Sequence, residues 1–186
     1  MQKKPEIIVF AGPNRSGKST ITKMANIIEP YINADDIKKA TLCSDMEAAI
    51  GADRIRNSLI VEKKSFTFET VLSTDRNLKL LQKTRDNGYF IRCIYVLTTD
   101  PKINVNRVAV RTAFGGHSVP KDKIISRYNK ALELIPELLK VCDICHIYDN
   151  SDMPFRIFKK RKDVYYYWEN IFWNKEQISN LTKIEL

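Results

Sequence analysis

Ile7-Ile8-Val9-Phe10-Ala11, followed by Gly12-Pro13-Asn14-Arg15-Ser16-Gly17-Lys18-Ser19-Thr20, is the stretch that decides the fold. The second part is a complete G-x-x-x-x-G-K-S/T loop, and the first is a short apolar run of the kind that forms a buried strand. Downstream, Ile21, Met24, Ala25 and Ile28 recur at helical spacing and predict a helix over residues 19 to 28. Strand, glycine loop and helix thus arrive in the order that wraps backbone N–H groups around phosphate oxygens at a helix N-terminus. All of Gly12 to Thr20 are expected at the phosphates, with Lys18 reaching the terminal ones and the Ser19 hydroxyl facing Mg²⁺. The stretch therefore implies a nucleoside triphosphate.

Outward from the loop, nothing divides the chain. Its 186 residues, 44% hydrophobic, contain no long Gly, Ser or Pro tract and no repeat, so residues 1 to 186 read as one domain. The apolar run at Ile7 to Ala11 is too short for a signal-peptide core and no segment approaches membrane-spanning length, so a cytoplasmic protein is expected. A net charge of +9 suits nucleic acid, an anionic small ligand or a plain solvated surface. Because the basic residues are spread over expected helix faces rather than gathered with aromatics, the solvated surface is favoured, and neither nucleic acid nor membrane is expected as a partner. Cys142-Asp143-Ile144-Cys145-His146 matches a haem-attachment string, yet it lies in what reads as a buried strand whose thiols pack as small hydrophobes.

Strand and helix signals alternate along the rest, which predicts an α/β protein with a mostly parallel five-stranded sheet and helices on both faces. The strands are placed at Ile7 to Phe10, Tyr31 to Asn33, Ser65 to Glu69, Phe90 to Leu97 and Ile144 to Tyr148. Ser44 and Glu47 form a capping-box pair ahead of a helix whose apolar positions are Ala48, Ala52, Ile55 and Leu59. Another helix runs from about Asp75 to Asn87-Gly88, and a third follows Pro120 with a stripe of Ile124, Tyr128, Ala131, Ile135 and Leu138, interrupted at Pro136. Past Pro154, two short runs around Arg161-Lys162 predict a C-terminal β extension in the form of a hairpin.

In such sheets ligands bind beyond the carboxyl ends of the strands. Three predicted strand ends carry polar groups there: Asn33-Ala34-Asp35-Asp36, Phe68-Glu69-Thr70 and Thr98-Thr99-Asp100. A carboxylate in front of the phosphates would accept the proton of an acceptor hydroxyl during phosphoryl transfer. Asp35 is the first choice, although spacing alone leaves open which of Asp35 and Asp36 caps the next helix. Glu69 is expected either to orient the acceptor or to hold Mg²⁺ through water. Arg107, Arg111 and Arg127 flank Gly115-Gly116-His117, which reads as a helix–turn–helix lid placing guanidinium groups over phosphate; His117 itself reads as a turn residue.

AGPNRSGKST, INADDI, FTFETVLS, the RVAVR segment with GGHSVP, IISRYNKAL and IYDNS, spread in that order over most of residues 6 to 151, resemble the zeta toxin family of small-molecule kinases. The resemblance implies a three-layer P-loop fold of the nucleoside-kinase type. It also implies ATP and Mg²⁺ as cofactors, a small-molecule hydroxyl acceptor, UDP-N-acetylglucosamine by the family's pattern, and a toxin with a separate antitoxin protein. On that pattern Lys18, Asp35, Arg111 and Arg127 are catalytic, Asp35, Glu69, Thr70 and Arg107 lie on the acceptor side, and Ser19 and Glu69 attend the metal. Arg15 departs from the small residue expected at its position. The chain lacks an LSGGQ-like signature, an N-K-x-D motif and an apolar strand ending in Asp-Glu, which sets aside transporter ATPases, GTP switches and many motors. A chloramphenicol-phosphotransferase-like or other metabolite kinase, a polynucleotide 5′-kinase, and a nucleotide-regulated protein- or RNA-binding module stay as alternatives.

Overall fold

A computed structural model describes residues 4–113 and 119–186. The strands β1 (Glu6–Ala11), β2 (Tyr31–Ile32), β3 (Phe66–Thr70), β4 (Phe90–Leu97), β5 (Ile144–Asp149), β6 (Phe155–Arg161) and β7 (Val164–Tyr167) form one sheet in the order β2-β3-β1-β4-β5-β6-β7. The first five in that order are parallel, and β6 and β7 continue the sheet antiparallel. The predicted five-stranded core and its C-terminal hairpin are thus both present.

The helices are α1 (Lys18–Thr22), α2 (Ala34–Thr41), α3 (Asp45–Val61), α4 (Asp75–Asp86), α5 (Pro101–Ala113), α6 (Lys121–Glu133), α7 (Ile135–Val141) and α8 (Lys175–Thr182). One sheet face packs on α3, α4, α7 and α8 through Ala52, Leu81, Ile135, Leu138 and Ile178, with Phe66, Phe68, Tyr95 and Ile147 from the strands. Ile8, Phe10 and Val96 pack on Ile21 of α1 on the other. Full burial of each large side chain of this kind contributes about 1.5–3 kcal/mol, and the alternation of Ile8 and Phe10 against Ile7 and Val9 divides β1 between the two faces.

Several local signals act as read. Ser44 and Glu47 close a reciprocal capping box on α3, and Gly88 takes φ +87° just past α4. Pro136 starts α7 and so separates it from α6. Two readings need correction. The helix expected over residues 19 to 28 ends at Thr22, and Met24 is 70% exposed rather than core-facing. Thr67 is the reason: its Oγ1 accepts from Ile28 N and donates to Ile28 O, both at 2.8 Å, so the chain is extended there on its way into β2. On α3 the buried position after Ala52 is Arg56, while Ile55 faces solvent. The Arg56 guanidinium lies 4.9 Å over the Phe68 ring and pairs with Asp53, and Arg76 joins the same carboxylate.

Candidate active site

Register brings the site together. Phe10 is level with Glu69 and Ala11 with Thr70, so the loop leaving β1 begins beside the end of β3. Gly12 and Gly17 are required there by space as well as by φ values of +139° and +95°. A Cβ on Gly12 would lie 2.0 Å from Val96 O, and one on Gly17 would lie 1.9 Å from Asn150 Nδ2. The loop is then tied from behind. Asn104 Nδ2 donates to Asn14 O (2.6 Å), Asn150 Nδ2 donates to Ser16 O (2.8 Å), and Thr98 Oγ1 donates to Asn104 Oδ1. Asn104 lies in no motif quoted from the sequence, and Asn150 falls within IYDNS without a role assigned to it; each sits more than 80 residues from the carbonyl it holds.

Lys18 is 6% exposed, and its Nζ donates to Gly12 O (2.9 Å) and Pro13 O (3.0 Å) and lies 3.8 Å from Glu69 Oε1. Burial lowers its pKa, while Glu69 and Asp35 oppose that shift and Arg15 adds to it. Glu69 also accepts from Tyr31 Oη (3.0 Å), and Asn33 Nδ2 donates to the same phenol oxygen (3.3 Å). Burial and the Glu69 carboxylate push that phenol above its ordinary value, so Tyr31 keeps its proton and donates the hydrogen bond to Glu69. Ser19 and Thr20 are exposed on the first turn of α1.

The question left between Asp35 and Asp36 is settled as regards capping: neither is the cap. Asn33 Oδ1 accepts from Asp35 N (2.9 Å) as N-cap of α2, and Asp36 pairs with Lys39 (3.2 Å). Asp35 makes no ion pair among the described residues, and its charge acts on both Lys18 and Arg15. Arg15 has φ +61° and is half-buried; burial and Arg111 lower its pKa, and Asp35 opposes them. The loop's departure from pattern therefore adds a cation facing Arg111 and Asp35. Arg107 is placed differently from its expected acceptor-side role. Its guanidinium donates to Arg15 O (3.3 Å), Asn150 O (2.8 Å) and Ser151 O (3.0 Å), bracing the phosphate loop. Thr70 Oγ1 accepts from Leu72 N (3.1 Å) and Asn77 Nδ2 (2.8 Å), which fixes the turn after β3. Arg127 lies on α6 beside Tyr128, whose Oη donates to Thr98 O, and makes no hydrogen bond or ion pair among the described residues. Gly115, Gly116 and His117 lie outside the described residues. Cys142 and Cys145 are fully buried, Cys145 level with Cys93 of β4, as packed core residues.

These donors fit a nucleoside triphosphate. The cradle has no room for a Cβ at either glycine, the Ser16 hydroxyl is buried without a hydrogen-bond partner, and a nearly dehydrated ammonium lies at the loop. For Mg²⁺, Ser19 supplies a hydroxyl, and Glu69, engaged by Lys18 and Tyr31, is suited to a role through water.

Sheet order and phosphate loop define a three-layer P-loop α/β fold, one shared with solved toxin-antitoxin and kinase structures. The chain is similar to the structure of the PezAT chromosomal toxin-antitoxin system of Streptococcus pneumoniae, with TM-score 0.59, 16% identity, and coverage of 84% of this chain and 74% of that one. It is also similar to AvrRxo1-ORF1:-ORF2 with ATP, with TM-score 0.69, 12% identity and 96% of this chain covered; the match spans 64% of that chain. An uncharacterized protein of Haemophilus influenzae is 26% identical over 127 residues, covering 65% of this chain and 91% of that one. No protein-family model matches the chain. No described helix is long and apolar enough to cross a membrane.

Proposed function

We propose that the chain is an ATP-dependent phosphotransferase acting on a hydroxyl of a small molecule, most simply a nucleotide sugar such as UDP-N-acetylglucosamine. One observation carries the reading: a buried Lys18 held at the phosphate loop, with Glu69 3.8 Å away and the Asp35 carboxylate, in no ion pair among the described residues, acting on Lys18 and Arg15. When bound, ATP with Mg²⁺ supplies the phosphoryl group and neutralises its developing charge. Lys18 binds the terminal phosphates from the loop, and Arg15 and Arg111 add guanidinium groups suited to forked contacts with phosphate oxygens. Asp35, on the first turn of α2, takes the acceptor's proton. Glu69, held by the Tyr31 hydroxyl, orients Lys18. Arg127, from the α6 side, completes the cationic rim. Similarity in fold to the PezAT toxin-antitoxin structure supports a toxin role with a separate antitoxin as partner, and the cytoplasm is where ATP and such an acceptor meet.

The test is product detection by mass spectrometry with ATP and UDP-N-acetylglucosamine, related nucleotide sugars and chloramphenicol. Asp35→Asn is expected to bind ATP normally and lose about 10²- to 10⁴-fold in turnover, whereas Lys18→Ala loses both. Turnover by Asp35→Asn equal to wild type removes Asp35 as base. Failure of every acceptor, with ATP bound, refutes the nucleotide-sugar reading.

A further inference from the structure

The sheet face opposite α3, α4, α7 and α8 is covered by α1 and the segment leading into β2, whose apolar contacts extend as far as Ile94 and Tyr148. Beyond them, register carries one row of side chains onto the open part. His146 is level with Lys159 and Lys159 with Tyr166; past the bulge, Tyr148 is level with Arg156. Trp168 follows Tyr166 by two residues and shares its face. These six residues interleave rings and cations. The Arg156 guanidinium lies 4.3 Å from the Trp168 ring and Lys159 Nζ 5.4 Å from the Tyr166 ring. Tyr166 stacks with Trp168 (6.5 Å, 22°) and His146 with Tyr148 (6.4 Å, 9°). Tyr166 is 47% exposed. The basic residues thought from the sequence to be scattered are here gathered with aromatics by sheet pairing.

No described β4–β7 position on this face is acidic, and Glu6, at the start of β1, is taken up by Arg92 (2.9 Å). The potential is strong enough to act on His146, which is driven down to about 4 by burial and by Arg156, Lys159 and Arg92. An uncompensated positive face with ring surfaces between its charges matches the chemistry of a strand of unpaired bases: phosphates meet the cations and bases meet the rings. A duplex hides its base faces, so it can meet the charge but not the rings.

We propose that the β5–β7 sheet face, through Arg156, Lys159, Tyr166 and Trp168, binds single-stranded nucleic acid. The site is separate from the phosphate loop and does not depend on the kinase reading.

The experiment is fluorescence anisotropy of the full chain with a labelled single-stranded oligouridine of about 12 nucleotides, repeated with a duplex of the same length and with saturating ATP. The single strand is expected to bind in preference to the duplex, with affinity falling steeply from about 50 to 200 mM salt, and ATP is expected to leave binding unchanged. Tyr166→Ala, at an exposed edge position that leaves the core intact, is expected to weaken binding roughly 5- to 100-fold. Lys159→Ala is expected to reduce the log–log salt slope by about 1. Circular dichroism checks that both variants keep the wild-type fold. Equal binding of duplex, indifference to Tyr166→Ala, displacement by ATP, or no binding at the lowest salt would each overturn the proposal. So would a dimer that Tyr166→Ala dissolves without any oligonucleotide binding, since a second copy would then occupy the face.

Discussion

Gly17→Ala tests the claim that the phosphate loop is held in shape from behind by Asn150. At φ +95° an L-residue is strained by roughly 1–2 kcal/mol. The added methyl would also lie 1.9 Å from Asn150 Nδ2, which donates to Ser16 O. Asn150 is buried, so moving it aside sacrifices that hydrogen bond and leaves a buried amide unsatisfied, which costs about 1–3 kcal/mol. The sum is about 2–5 kcal/mol, or a fall of about 2–4 °C in Tm per kcal/mol for a chain of this size. The steric part disappears if Asn150 is already Ala, whereas the backbone strain does not. A double-mutant cycle by urea unfolding therefore has a defined outcome: Gly17→Ala should cost about 1–2 kcal/mol in the Asn150→Ala background and clearly more in wild type. Strict additivity of the two changes would refute the argument, because it would mean that the amide is not what excludes a side chain at residue 17.

Arg107→Ala removes three contacts to loop carbonyls, so it should lower stability and weaken nucleotide binding together; a change confined to the acceptor KM, with stability intact, would return Arg107 to the acceptor side. In the buried cluster on α3, Asp53→Ala strands the Arg56 cation and should cost about 3–5 kcal/mol. Arg56→Met leaves Asp53 still paired with the exposed Arg76 and should cost less, and the reverse order by urea unfolding would contradict the arrangement. His146 holds its proton less tightly folded, at about 4, than unfolded, at about 6.5. Between those values the unfolded chain binds more protons, so this residue's contribution is full above about pH 6.5 and is lost as the pH falls towards 4. His146→Gln should accordingly flatten the acid limb of a Tm-against-pH curve, and an unchanged limb would count against a neutral His146.

The parts of this structure legible in the sequence are those written in contiguous residues. Gly12 to Thr20 specify the loop, Ser44 and Glu47 the start of α3, Gly88 the stop after α4, and the runs around Arg161-Lys162 the hairpin, because caps, turns and phosphate loops are built from neighbours. What was missed depends on pairing across the chain. The end of α1 is set by Thr67, about 40 residues further on, through two hydrogen bonds to Ile28. The apolar period on α3 pointed to Ile55, but Phe68 on β3 presents a ring that suits the Arg56 guanidinium, and burial went to Arg56. Asn104, Asn150 and Arg107 act as struts only once β4, β5 and α5 meet behind the loop. Spacing alone left open which of Asp35 and Asp36 caps α2, because the residue that does so, Asn33, stands ahead of both.

Charge allocation follows the same division between local and distant. On the helix surfaces many acids are consumed by near neighbours: Asp36 by Lys39, Asp75 by Lys79 and Glu137 by Lys140, spaced three or four residues apart. Exposed pairs of this kind contribute only a few tenths of a kcal/mol each, yet they remove those cations from any longer-range role. Basic residues outnumber acidic ones by 31 to 22, and two clusters of cations stand out within that excess. One is the loop edge, where Arg15 and Arg111 repel each other. The other is the β5–β7 face, where Arg156, Lys159 and Arg92 act together on His146. Like charges held together in a folded chain disfavour the fold unless an anion answers them. The first group faces a glycine cradle and the second a row of aromatic rings, so the surroundings of each, rather than the net charge, indicate a clustered phosphate ligand in one case and a strand of bases in the other.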